Sequence, residues 1–221
     1  ETSYKLTTSF GPIELPADQV IAMFSLGQFK ARQLIVTQDG QVVGGTLEKP
    51  TLDLQLSSGQ MTKIPVSQIS RMGYHKRPDE PEEWTFDKPF VQLRSGDRMF
   101  VKMPAEPIAF ATRYGTLSVD PKAIAAINFQ PDGGSVHELT LTDGSTVAGL
   151  LGGDSLQLTR DSGGQAMKLE PSQLLTWKFK TIDDRIDDSH PQLETTCGDK
   201  FFSVISGKLT LDTVFGLLHI A

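Results

Sequence analysis

The sequence predicts an all-β chain of tandem repeats of about 50 residues, each supplying four strands and a short helical turn. Fused small barrels or propeller-like blades are the expected arrangements. Three recurring patterns predict this: a strand, Gly turn and second strand; an apolar triplet marked by proline; and a hairpin between the two.

The first pattern reads Leu34-Ile-Val-Thr-Gln-Asp39-Gly40, then Val91-Gln-Leu-Arg-Ser-Gly96-Asp97. It returns as Leu139-Thr-Leu-Thr-Asp143-Gly144 and Leu193-Glu-Thr-Thr-Cys197-Gly198-Asp199. Alternating apolar residues suit half-buried strands. Asp-Gly or Gly-Asp suits a tight hairpin, because both residues tolerate positive φ.

The second pattern is an apolar residue, another five on, and a third three beyond. It occurs as Leu15, Val20, Met23; Ile64, Ile69, Met72; Val119, Ile124, Ile127; and Leu169, Leu174, Trp177. Pro16, Pro65, Pro121 and Pro171 follow the first anchor by one or two residues. Proline there ends a strand and starts a helical turn, whose one face would carry the last two anchors. The third pattern is Thr8-Ser-Phe10-Gly11, Thr112-Arg-Tyr114-Gly115 and Thr213-Val-Phe215-Gly216.

Phasing these patterns divides the chain into a partial repeat at 1–31 and a repeat at 32–89 with an acidic, Pro-rich connector. Further repeats follow at 90–135 and at 136–191, the latter with a second acidic connector, and a partial repeat at 192–221. Both ends cut through a repeat. Either the partial repeats meet and close a ring, or the chain is a piece of a longer array. Both carry the aromatic-Gly hairpin rather than complementary halves, so an excised or open array, part of a larger extracytoplasmic protein or assembly, is expected.

Composition narrows the function classes. Charged side chains sum to −6, which argues against a nucleic-acid surface. One cysteine, Cys197, allows no internal disulfide, and no apolar run approaches a membrane span. The first residue is Glu rather than Met, which either a removed leader or a trimmed sequence explains. An extracytoplasmic location, periplasm or cell surface, is the expectation for a repeat array of this kind.

The run from Arg94-Ser-Gly96-Asp97-Arg98 through Tyr114-Gly115-Thr-Leu-Ser-Val119 to Ile124 and Ile127 resembles a repeat of planctomycete-type envelope-associated proteins of unknown function. Leu139–Gly149 also resembles Sm-like and SH3-like small barrels in strand order and turns. Neither resemblance brings catalytic residues. The basic loops with which Sm-like proteins bind RNA are missing here.

No His-Glu-x-x-His, Gly-x-Ser-x-Gly, P-loop or dinucleotide fingerprint occurs, so neither an enzyme nor a cofactor is expected. Gly149-Leu-Leu-Gly152-Gly153-Asp154 reads as a hairpin loop. None of His75, His137, His190 and His219 has a metal-ligand neighbour at the right spacing, and no metal site is expected from them. Asp183, Asp184, Asp187 and Asp188 form a calcium candidate by oxygen density, without the EF-hand spacing. Trp84 and Phe86, in the long connector, either fold back on the core or form an aromatic patch for a partner or glycan. Asp187 and His190 complete the candidate binding residues.

The expectation is therefore a non-catalytic interaction or scaffold module with protein partners or self-association. The alternatives are a carbohydrate- or small-ligand-binding domain using the connectors, and an enzyme with an unrecognised site, which a pocket gathering Asp187, His190 or His137 would favour.

Overall fold

Short alternating segments closed by Gly turns leave the backbone one economical way to satisfy its polar groups, which is antiparallel pairing. The chain takes it throughout. The computed structural model describes residues 2–27, 32–73, 86–130, 135–162, 166–179, 192–202, 209–213 and 216–220. These residues form strands and 3-10 turns, with no α-helix among them.

The N-terminal strands are β1 (Ser3–Thr8), β2 (Gly11–Pro16), β3 (Val20–Leu26), β4 (Arg32–Thr37), β5 (Val42–Leu47), β6 (Thr51–Gln55), β7 (Met61–Pro65) and β8 (Arg71–Gly73). The middle strands are β9 (Phe90–Leu93), β10 (Arg98–Phe100), β11 (Ile108–Thr112), β12 (Gly115–Val119) and β13 (Ile124–Asn128). Then come β14 (His137–Leu141), β15 (Thr146–Leu151), β16 (Leu156–Leu158), β17 (Met167–Leu169) and β18 (Leu174–Lys178). The last are β19 (Gln192–Glu194), β20 (Lys200–Phe202), β21 (Leu209–Thr213) and β22 (Gly216–Ile220).

Among the described residues sixteen strands join one open antiparallel sheet, in which β8, β3, β4, β5, β10, β9, β18, β13, β14 and β15 lie side by side. Beyond β15 the sheet divides, to β11 and β12 on one path and to β20 and β19 on the other. The β1–β2 hairpin joins at β5. Hairpins β6–β7, β16–β17 and β21–β22 stand outside the sheet.

Neighbours in the sheet are often far apart in sequence. Strand β18 lies between β13 and β9, so Trp177 is opposite both Ile127 and Val91. Pairing thus crosses the boundary drawn at residue 135. The Lys102 amide donates to Thr159 O at 2.8 Å and the Asp161 amide to Phe100 O at 3.0 Å, which ties the end of β10 to the end of β16.

The turns follow the sequence closely. Gly40, Gly96, Gly144 and Gly198 all have φ between 82° and 92°. Each amide donates to the carbonyl three residues earlier, on Thr37, Leu93, Leu141 and Thr195. Glycine supplies that conformation without the Cβ clash other residues meet.

The apolar triplet needs a correction. The short turns are single 3-10 turns at Ala17–Gln19, Val66–Gln68, Pro121–Ala123 and Pro171–Gln173. They end before the second anchor. In three of the four triplets the last two anchors lie in a strand: Val20 and Met23 in β3, Ile124 and Ile127 in β13, Leu174 and Trp177 in β18. A spacing of three puts strand residues on opposite faces. Here the register shifts between Val20 and Ala22, between Ile124 and Ala126, and between Leu174 and Thr176. One extra residue in each bulge returns the third anchor to the core face. The spacing that suggested a helical turn is thus produced by a bulge.

The core is one contiguous cluster from Tyr4 to Phe179. The second and third anchors Val20, Met23, Ile124, Ile127, Leu174 and Trp177 are all at most 2% exposed. Of the first anchors, Leu15 and Leu169 are buried, while Ile64 and Val119 are half-buried. Where β1 crosses β5, a Cβ on Gly45 would lie 2.7 Å from Thr7 O. Where β11 crosses β15, a Cβ on Gly149 would lie 2.4 Å from Ala111 O. Both crossings therefore depend on glycine. Gly149 to Leu151 continue β15 rather than form a loop, and only 152–154 bend.

Candidate assembly surfaces

Two hairpin turns each drive a carboxylate into the edge of another strand. The first is Gly96-Asp97, between β9 and β10. Asp97 is fully buried. Its Oδ1 accepts from the Gly44 amide on β5, and its Oδ2 from Arg32 Nη2, both at 2.5 Å. Ser95 Oγ also donates to Oδ2. Arg32 Nη1 reaches Ser95 O at 3.2 Å. The guanidinium lies over Gly44, where a Cβ would come within 2.2 Å of Nη2. Three donors, from two strands and the turn, thus surround one carboxylate, which is how a buried charge is tolerated.

The second is Gly198-Asp199, between β19 and β20. Asp199 is 2% exposed. Its Oδ1 accepts from the Ala148 amide on β15, and its Oδ2 from Tyr114 Oη, both at 2.7 Å. Arg113 Nε stands 3.6 Å from Oδ2. The next contacts match as well. The Phe100 amide donates to Gln41 Oε1 at 3.2 Å, and the Phe202 amide to Ser145 Oγ at 2.9 Å. Arg98 pairs with Val42 and Lys200 with Thr146.

From sequence alone these aspartates read only as turn formers. The signal that distinguishes them is residue order. Asp39 and Asp143 precede their glycine and bond locally, to the amides of Gln41 at 3.4 Å and Ser145 at 2.8 Å. Asp97 and Asp199 follow their glycine and bond across strands.

Two edges of the sheet, at β8 and at β19, are unlike its middle. Among the described residues β8 pairs only with β3, and β19 only with β20. On the β8 side Ile69 and Met72 are half-buried, and Met61 is 61% exposed. On the β19 side Leu193 is 43% exposed and Phe201 is half-buried, its ring 5.7 Å from Tyr114.

The residues singled out from sequence fall elsewhere. Phe86 packs back on the core, with ring centroids 5.1 Å from Phe90 and 6.0 Å from Phe100, and the Arg98 guanidinium 4.6 Å above its ring. Trp84, Asp183, Asp184, Asp187, Asp188 and His190 lie outside the described residues. Cys197 is exposed at its turn. No group of His, Cys, Asp or Glu able to hold a metal ion occurs among the described residues. No described helix is long and apolar enough to cross a membrane.

His137 is buried against Phe129, ring centroids 4.9 Å apart, and its Nδ1 has no hydrogen-bond partner among the described residues. Burial, and secondarily the Arg94 charge, pushes its pKa below the ordinary histidine value. The unfolded chain then binds the proton more readily than the folded one. Stability from this group is present above about pH 6.5 and is lost as pH falls toward the folded pKa. Urea midpoints between pH 5 and pH 8 should fall on the acid side, and His137→Gln should flatten that part of the slope.

Scans against protein-family models, curated proteins and solved structures each find no match for this chain.

Proposed function

We propose that the chain is a non-catalytic β-repeat scaffold whose repeats lock together by exchanging hairpins. In this reading a unit has five strands, drawn from the second half of one repeat and the first half of another. Strands β1–β3 with β4–β5 make one unit, and β11–β13 with β14–β15 make a second. The third takes β16–β18 from one repeat and β9–β10 from the repeat before it.

The observation that carries the reading is a shared register. The third anchor faces the middle of the first hairpin in every unit: Met23 opposite Ile35, Ile127 opposite Leu139, and Trp177 opposite Val91. The first two pairs join neighbouring segments, and the third joins segments from different repeats. All six residues are at most 2% exposed. The buried aspartate turns then fasten one unit to the next.

Interlocked units share one core and should unfold together. In a Trp84→Phe variant Trp177 is the sole tryptophan. Its fluorescence and the far-ultraviolet circular dichroism should give one coincident urea transition. Two separated transitions would exclude interlocked units. A thermal-shift panel of glycans, nucleotides and divalent cations should leave the midpoint unmoved. A glycan that raises it by several degrees would make this a ligand-binding domain instead.

A further inference from the structure

We infer that the sheet end at β6–β8 is an acceptor for the β19–β20 hairpin of a second copy of this chain. The inference rests on the hairpin-exchange reading above. Three units have both their halves. Among the described residues the half-unit made of β6, β7 and β8 pairs with no first hairpin, and the hairpin β19–β20 pairs with no second half. The missing part of each is the kind of part the other supplies.

Corresponding side chains show the vacancy. Ile35, Val91 and Leu139 are fully buried by their units, whereas Leu193, at the same distance before its turn glycine, is 43% exposed. Val43, Met99 and Val147 are at most 1% exposed, whereas Phe201 is half-buried. Met23, Ile127 and Trp177 are buried, whereas Met72 is half-buried. Four exposed or half-exposed apolar residues (Ile69, Met72, Leu193 and Phe201) thus sit on two separate edges, each matching a core position elsewhere in the molecule.

Register and charge select the occupant. Transferring the pairing of Trp177 with Val91 puts Met72 opposite Leu193, and therefore Arg71 opposite Glu194. The equivalent pairs inside complete units are uncharged: Ala22 with Val36, Ala126 with Thr140, and Thr176 with Gln92. Only the open pair carries opposite charges. Both side chains are exposed, and neither makes an ion pair among the described residues. Opposite charges directly across strands favour pairing, and like charges oppose it.

The two edges lie at opposite ends of one run of strands, from β8 through β3 and on to β15, β20 and β19. Joining the end of one copy to the start of the next is a heterologous contact, which propagates head to tail. Each junction repeats the join between β18 and β9 within the chain. It also covers two apolar edges that would otherwise invite unspecific pairing.

Analytical ultracentrifugation of the full chain, from micromolar to sub-millimolar concentration, tests this. The average mass should rise with concentration and pass that of a dimer. Arg71→Glu and Glu194→Arg should each weaken association by about tenfold or more. An equimolar mixture of the two variants should restore it, because every junction in the mixture can again pair opposite charges. Circular dichroism of each variant checks that these surface changes leave the fold intact. A single-copy mass at all concentrations overturns the inference, as does association indifferent to both reversals or a mixture that fails to recover. If instead each reversal lowers the melting midpoint of a monomer and the double variant restores it, the edges close within one copy. That result overturns the second-copy junction and leaves hairpin exchange standing. Separated unfolding transitions would remove hairpin exchange itself.

Discussion

Asp97→Ala is expected to lower the unfolding free energy by about 3–4 kcal/mol. The carboxylate is fully buried and accepts from Gly44, Arg32 and Ser95 at one point. Removing it deprives a buried strand amide of its acceptor and leaves a guanidinium, one third exposed, beside an apolar methyl. Charge-assisted hydrogen bonds are stronger than neutral ones, and the desolvated donors left behind carry most of the penalty.

Two controls separate the terms. Asp97→Asn keeps an oxygen for the Gly44 amide and loses the charge facing Arg32, so about 2 kcal/mol is expected. Asp199→Ala should cost less than Asp97→Ala, about 2 kcal/mol. Its partners Tyr114 and Arg113 are about half exposed and regain water when the carboxylate is gone. Urea denaturation with matched m-values is the measurement. A neutral Asp97→Ala would mean that the turn is not a fastening point.

Trp177→Ala is expected to cost about 4 kcal/mol, within the usual range for emptying a buried aromatic site. The indole is 2% exposed, tilts against Phe179 with centroids 4.4 Å apart, and sits where β18 meets both β13 and β9. Its Nε1 has no hydrogen-bond partner among the described residues, so the ring acts by volume and not as a donor. Trp177→Phe should therefore cost only about 1–2 kcal/mol. Met72→Ala, at the matching position in the open half-unit, should cost about 1 kcal/mol in dilute protein, because a half-exposed side chain leaves little cavity. Equal losses at 177 and 72 would contradict the contrast between a filled and an unfilled position.

The strands and turns were legible because their causes are local. Alternation in Leu139-Thr-Leu and glycine at the four turns needs no knowledge of distant residues. The apolar triplets were correctly located and wrongly explained. A step of three is what a helix and a bulged strand have in common, and sequence spacing does not distinguish them. The calcium candidate and most of the connector candidates lie outside the described residues. Phe86 was legible as an anomaly, but its packing on Phe90 and Phe100 depends on a close approach that no spacing encodes. A turn explains Asp97 and Asp199 adequately until their donors are seen.

The sequence by itself determined that the chain is all-β, where its strands turn, and which residues are apolar enough to form a core. Only the tertiary structure decided which strand lies beside which. Backbone donors and acceptors are alike on every strand edge, so pairing β18 with β9 and not with a sequence neighbour is chosen by whole-molecule packing. That choice depends on Gly45 and Gly149 permitting close crossings, on buried carboxylates finding their donors, and on the volumes of Trp177 and Val91 filling one space.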